Sequence, residues 1–327
     1  MKLNLEQIKT VTQGVQNVTY ENGEYIFSRF TNEEEAVIGG DNIYHPAGVQ
    51  MKFKTDGDIL RLKVFTEPKA RGYFSFDVFE DGKLIGCIKN FEDSECVGCY
   101  VLNDFKNGEH EAEIKLVTGE KEIRIVLPHS VIARIGEIEL ENATYITPVK
   151  SNKLIITYGD SITQGYDSLH PSNTYAMRLA EHFGAELYNK GIGGAQFPPE
   201  LAKVPDGLNP DLVTVAYGTN DWNNVTKEIF RGKADAFFDA LTKKHPDTPI
   251  YAFSPIWRKD YESSKPFGKF SEVEQTIKEV CEKYNSVKFI SGFDLVPHDE
   301  NLFGDLSLHP NDKGFKYYFE NLINEMR

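Results

Sequence analysis

The apolar residues of this chain change their period once, and that change limits the folds open to it. From about Tyr20 to Leu140 they recur at every second position, through residues 49–53, 59–64, 73–79, 110–116, 122–127 and 135–140. A period of two marks strands with one face buried and one wet, which antiparallel sheets tolerate. Asn22-Gly23, Asp56-Gly57, Asp81-Gly82 and Asn107-Gly108 punctuate the runs, and Asp81-Gly82 suits a two-residue hairpin. A β-sandwich of jelly-roll type is predicted. After a junction at residues 148–153 the pattern becomes short apolar runs at 154–158, 185–189, 212–217, 250–253 and 287–290. Stretches of period 3.6 separate them, as in βαβ units. One such stretch carries Ala176, Leu179, Ala180 and Phe183, with Ser172 or Asn173 placed to cap its start and Gly184 its end. The expected second half is a three-layer α/β/α sandwich around a five-stranded parallel sheet. At 327 residues the chain is long for one core, so two domains are expected, 1–150 and 151–327.

Composition narrows the partners. A net charge of −14 without a basic cluster opposes a nucleic-acid backbone or an anionic membrane and favours a small neutral or cationic molecule. The start, Met1-Lys2-Leu3-Asn4-Leu5-Glu6, has no apolar signal core, and no run reaches membrane-spanning length. Cys87, Cys96, Cys99 and Cys281 are few for a disulfide scaffold, so reduced thiols and a cytoplasmic setting are expected. Cys96 and Cys99 form one CxxC without the second pair or histidines that zinc would need. His45, His110, His129, His170, His182, His245 and His298 show no ligand spacing. No metal and no cofactor are expected.

In a parallel sheet, chemistry gathers where the carboxyl ends of the strands open into loops. The first run ends in Gly159-Asp160-Ser161-Ile162-Thr163, and the second is followed by Lys190-Gly191-Ile192-Gly193-Gly194. The third leads into Gly218-Thr219-Asn220-Asp221-Trp222, the fourth into Ser254-Pro255-Ile256-Trp257-Arg258, and the fifth into a long loop ending at Leu308-His309-Pro310. A hydroxyl, an N–H-rich turn, a carboxamide and an imidazole therefore share one edge, and these are the parts that acyl transfer requires.

These blocks resemble the SGNH (GDSL-type) hydrolases, a family of esterases and acylhydrolases, over most of residues 152–327. The resemblance implies that Ser161 is the nucleophile and His309 the general base. It implies an oxyanion hole made of the Ser161 N–H, the Gly194 N–H and the Asn220 carboxamide, with Gly193 the neighbouring candidate for the glycine role. The family usually places its third triad residue three positions before the histidine, which is Leu306 here, and the nearest carboxylate is Asp305. Asp305, Asp299 or a backbone carbonyl is left to orient the ring. A β-sandwich ahead of such a domain is similar to the carbohydrate esterase family 2 acetyl esterases, which implies removal of O-acetyl groups from sugars.

Trp222 and Trp257 follow strands at the active edge, where an indole stacks on a sugar ring or simply packs in the core. Arg258 either clamps a charged substrate or pairs with a surface acid. Asp160 and Asp221 are expected to fix loops through backbone hydrogen bonds. The leading expectation is a serine esterase acting on small acetylated carbohydrates. A lysophospholipase or thioesterase would need an apolar acyl groove that Ile192, Phe197 and Ile256 do not supply. A carbohydrate-binding protein with a decayed hydrolase half would have no reason to keep serine, glycine, asparagine and histidine together. Acyl length, alcohol and oligomeric state are not written in the sequence.

Overall fold

The computed structural model describes residues 1–92 and 105–326. Helices α1 (Leu5–Val11) and α2 (Asn32–Ile38) accompany two antiparallel sheets in the first half. One sheet runs β1 (Thr12–Gln13), β4 (Gln50–Thr55), β9 (Lys121–Val126), β6 (Ser75–Glu80), β7 (Lys83–Lys89), with β11 (Ile146–Pro148) also paired to β4. The other runs β2 (Asn17–Glu21), β3 (Glu24–Ser28), β10 (Val131–Glu141), β5 (Ile59–Pro68), β8 (Gly108–Lys115). Inward residues of both sheets, among them Met51, Phe53, Phe76, Ile123, Leu62, Val64, Ile135 and Ile138, meet in one buried core. Asp81-Gly82 forms the expected tight hairpin between β6 and β7, with φ of 47° and 79°, the left-handed pair that such a turn requires. Cys96 and Cys99 lie outside the described residues.

The five apolar runs of the second half become β12 (Lys153–Gly159), β13 (Ala185–Gly191), β14 (Leu212–Ala216), β15 (Ile250–Phe253) and β16 (Val287–Ile290). They pair in parallel, in the order β13-β12-β14-β15-β16. At the carboxyl edge lie the short helices α3 (Ser161–Gln164) and α6 (Thr219–Asn224). Helix α4 (Tyr175–Phe183) and α9 (Asp312–Glu325) cover one face, where Ile155, Leu187 and Phe253 meet Leu179, Phe315 and Tyr318. Helices α5 (Pro199–Lys203), α7 (Lys227–Lys244) and α8 (Ser271–Cys281) cover the other, where Ile156, Val213 and Val215 meet Leu201, Phe237, Leu241 and Ile277. The result is the expected α/β/α layering. Helix α4 is capped by Thr174, whose side chain accepts from the Met177 N–H, rather than by Ser172 or Asn173. Those two lie in the preceding 3₁₀ turn, because Asp77 accepts from the Ser172 hydroxyl and draws it away from the helix.

The two halves meet through buried polar groups. Arg29 donates to the carbonyls of His45, Asn189 and Gly191. Lys190 and Glu34, both without exposed side-chain surface, form an ion pair at 2.6 Å, and Lys190 also donates to the Arg29 carbonyl. Removing one member of a buried pair strands the other charge in a medium that cannot solvate it. Lys190→Met is therefore expected to lower unfolding stability by about 3–5 kcal/mol in urea titrations, with much of that regained when Glu34→Gln is added. A loss below about 1 kcal/mol for the single change would show the pair to be dispensable.

Candidate active site

Strand β12 has β13 on one side and β14 on the other, so the chain order reverses at its carboxyl end, where open parallel sheets form a crevice. Register places Gly159 level with both Gly191 and Ala216. The segments carrying Ser161, Gly194 and Asn220 therefore leave the sheet side by side. Asp160 caps α3, its carboxylate accepting from the Ile162 N–H at 2.9 Å. Burial pushes that carboxyl up to about 6, against the pull of the Ile162 hydrogen bond. The side chain of Gln164 ties three segments together: it donates to the His129 carbonyl, pairs with His45 Nδ1 and accepts from the Gly193 N–H.

Ser161 Oγ lies 2.8 Å from His309 Nε2, and His309 Nδ1 lies 2.7 Å from Asp305 Oδ2. An ionised carboxylate only accepts, so Nδ1–H donates to Asp305 and leaves Nε2 to accept from the Ser161 hydroxyl. Leu306, at φ 55°, turns the loop so that its own side chain points outward and that of Asp305 inward. Asp305 Oδ1 accepts from the N–H groups of Ser307, Leu308 and His309, which fixes the loop to the ring it faces. Burial alone would raise the Asp305 carboxyl, yet the His309 hydrogen bond and charge and the backbone donors outweigh it and hold the group at about 2. Asp299 does not reach the ring; it caps a 3₁₀ turn through the Asn301 N–H.

Asn220 Nδ2 donates to the Ala195 carbonyl at 3.0 Å, joining the asparagine and glycine segments. The N–H groups of Ser161 and Gly194 have no hydrogen-bond partner among the described residues, whereas that of Gly193 is taken by Gln164. Asp221 accepts from the Phe197 N–H and is pushed up by burial to about 7, so it fixes a loop as expected.

Other expectations are corrected. Trp222 has no exposed surface: its indole N–H donates to the Gly268 carbonyl, and Phe270 and the Arg258 guanidinium close its ring. Trp257 is 7% exposed and lies between His298 and Phe303. Both indoles are core residues and present no open face to a sugar. Arg258 is a buried brace, bonded to Asp260 and to the Thr219 carbonyl and hydroxyl. A cavity of about 560 Å³ is walled by Tyr261, Phe270, Phe293 and Glu274 and contains none of Ser161, Asn220 or His309; the side-chain geometry, not cavity size, marks the candidate site.

Among the described residues, Asp77, Cys87 and His170, and likewise Asp167, Asp305 and His309, bring possible metal-ligand atoms together. In the first group the hydrogen bonds to Asp77 and Cys87 push His170 up to about 11 despite burial.

Residues 157–317 match the model of the GDSL-like lipase/acylhydrolase family. They form a GDSL-like lipase/acylhydrolase domain. The chain is accordingly an acylhydrolase, a carboxylic ester hydrolase. No curated protein matches it in sequence. Solved structures share the fold over both halves. A salicylyl-acyltransferase from a tetracycline biosynthetic pathway aligns at a TM-score of 0.81 and 20% identity, covering 100% of this chain and 96% of that one. A putative GDSL-like lipase from Bacteroides ovatus aligns at 0.78 and 20%, covering 98% and 95%. A family two carbohydrate esterase from Cellvibrio japonicus aligns at 0.67 and 16%, covering 97% and 95%.

Sequence reading missed Gln164, Tyr166 and Asp167, which crowd this acylhydrolase site from the segment just after Ser161, and Arg71, which reaches it from the antiparallel half. The first three stood beside the serine and were open to notice; nothing local marked Arg71. Because Asp305 ionises more readily folded (about 2) than at its ordinary 3.8, the unfolded state binds the extra proton between those values. The contribution of Asp305 is thus present above about pH 4 and lost as pH falls toward 2. Acid unfolding of Asp305→Asn should lack that component, roughly 2 kcal/mol; identical acid profiles for both proteins would refute it.

Proposed function

We propose that this acylhydrolase is a serine esterase that removes short O-acyl groups, acetyl foremost, from sugars or oligosaccharides through an acyl-enzyme on Ser161. The observation that carries the reading is the continuous hydrogen-bonded run from Ser161 Oγ through His309 to Asp305 at the carboxyl end of β12. Ser161 Oγ attacks the ester carbonyl carbon while His309 Nε2 takes its proton, and Asp305 stabilises the imidazolium. The Ser161 and Gly194 N–H groups and the Asn220 carboxamide receive the oxyanion. Collapse expels the alcohol, protonated by His309. Water then attacks the acyl carbon with His309 again as base, which releases the acid and restores Ser161.

The acyl preference is supported by what lines the loops. Ile192, Phe197 and Ile256 are 7%, 2% and 2% exposed, so the apolar side chains nearest the edge are spent in the core rather than in an acyl groove. The sugar preference is supported by likeness in fold to carbohydrate esterases over both halves and by the acidity of the chain. We read residues 1–150 as a jelly-roll domain and 151–327 as the hydrolase domain of such an enzyme.

A panel of p-nitrophenyl esters tests this reading. Activity is expected to be highest on acetate and to fall by butyrate, and equal kcat/KM on octanoate would favour a lysophospholipase or thioesterase instead. Ser161→Ala should lose about a million-fold in turnover and Asp305→Asn about ten-thousand-fold. Asn220→Ala should lose about a hundred- to a thousand-fold with little change in KM. Retention of a tenth of wild-type activity by Ser161→Ala would remove it as nucleophile.

A further inference from the structure

The loop after α3 carries a carboxylate that this reaction does not use. Asp167 stands at φ 69° with a side chain 1% exposed. Its Oδ2 lies 3.8 Å from His309 Nδ1 and has no hydrogen-bond partner among the described residues. Its Oδ1 accepts from Arg71 Nε at 2.7 Å and from the Tyr73 hydroxyl at 3.4 Å. The imidazole N–H thus faces two carboxylates: Asp305 within hydrogen-bond reach and Asp167 just beyond. The approach is enforced by packing, since a Cβ on Gly304 would come within 2.6 Å of Asp167 Cβ. Arg71 and Tyr73 lie between β5 and β6, in the antiparallel half. The Arg71 guanidinium also covers the Tyr166 ring at 4.9 Å, and that ring lies 5.6 Å from the ring of His309.

An Arg–Asp pair that served only to join the two halves would be expected to satisfy both carboxylate oxygens. Here one oxygen is buried, unpartnered and on the side of the imidazole, an arrangement that costs free energy unless a positive charge develops opposite it. We propose that Asp167 is a second positioning carboxylate for His309, and that Arg71, supplied by the antiparallel half, sets how strongly it acts. The proposal rests on the reading of His309 as general base. When the Ser161 proton reaches Nε2, the imidazolium meets Asp305 through its hydrogen bond and Asp167 through space, and Arg71 offsets part of the Asp167 charge.

Among the described residues the other charged or titratable groups acting on this cluster include Arg29, which acts on Tyr166, and Asp312, which acts on Tyr73. Asp160 and Tyr166 face His309, and Asp305 acts on Asp167 from the same side as the ring. His129, pulled down by burial to about 4, lies beside Arg71 as a neutral group. Tyr73 is held protonated by burial.

The test is the pH dependence of kcat/KM for p-nitrophenyl acetate with the full chain. Since His309 works as a base when neutral, the rate rises with pH through its ionisation. Asp167→Asn keeps the shape and tolerates positive φ but removes a charge that favours the imidazolium, so the inflection is expected to fall by about one pH unit, with kcat about tenfold lower. Arg71→Gln uncovers Asp167 and should move the inflection upward, while Arg71→Lys should bring it back toward wild type. Opposite shifts support the proposal. An unmoved inflection in folded Asp167→Asn, even with a lowered melting temperature, would overturn it and leave a structural brace. A downward shift in Arg71→Gln would overturn the role of Arg71, and if that variant does not fold, Arg71→Lys and Asp167→Asn decide. Failure of the underlying reading is separate, because it appears as activity in Ser161→Ala.

Discussion

No side chain fits where β12 turns into α3. A Cβ on Gly159 would lie 2.0 Å from Thr163 Oγ1 and 2.8 Å from the Ala216 carbonyl, and one on Gly191 would lie 2.4 Å from the Gln164 N–H nitrogen. Glycine at these two points lets three parallel strands end level and the helix begin almost on top of them. That closeness sets the position of Ser161, and with it everything the imidazole and the oxyanion donors must reach. Asn189 completes the joint, donating to the Thr163 carbonyl and accepting from the Gly191 N–H. A site assembled from strand ends needs no long lid or mobile arm, because each group leaves rigid sheet within a few residues.

The antiparallel half is built into this joint rather than appended to it. The β13 strand is braced by Arg29 and by the Glu34–Lys190 pair. Gln164, three residues past the serine, bonds to both His45 and the His129 carbonyl. Asp77 of β6 gathers Ser172, Ser75 and a charged His170 at another point of contact. Backbone approaches are equally close: a Cβ on Gly48 would collide with Asn189 Cβ at 2.7 Å. These contacts give the first half a physical reason to travel with the second, whatever it does toward substrate.

What the sequence made legible follows from how local each signal is. Short apolar runs alternating with stretches of period 3.6 read as the strands of βαβ units, so all five parallel strands stood out, and Asp81-Gly82 marked its hairpin by backbone preference alone. Helix α4 was legible too, but its cap was not, since Ser172, Asn173 and Thr174 stand in a row and Asp77, far away in sequence, decides among them. The tryptophans misled because a strand end can face the cleft or the core, and only packing against Phe270 or Phe303 settles which. Asp305 could not be chosen over Asp299 or a carbonyl because the left-handed turn at Leu306 leaves no mark on a leucine. The Arg71–Asp167 pair, whose members are 96 positions apart, had no local signature at all.

The central claim is that Ser161, activated by His309, carries the acyl group between two half-reactions. Mass spectrometry of the protein quenched within the first turnover of p-nitrophenyl acetate addresses it directly. The account requires one acetyl group on the peptide that contains Ser161, formed with the burst of nitrophenol and lost as turnover proceeds. A burst with no covalent adduct, or an acetyl group on any other residue at equal yield, would contradict it.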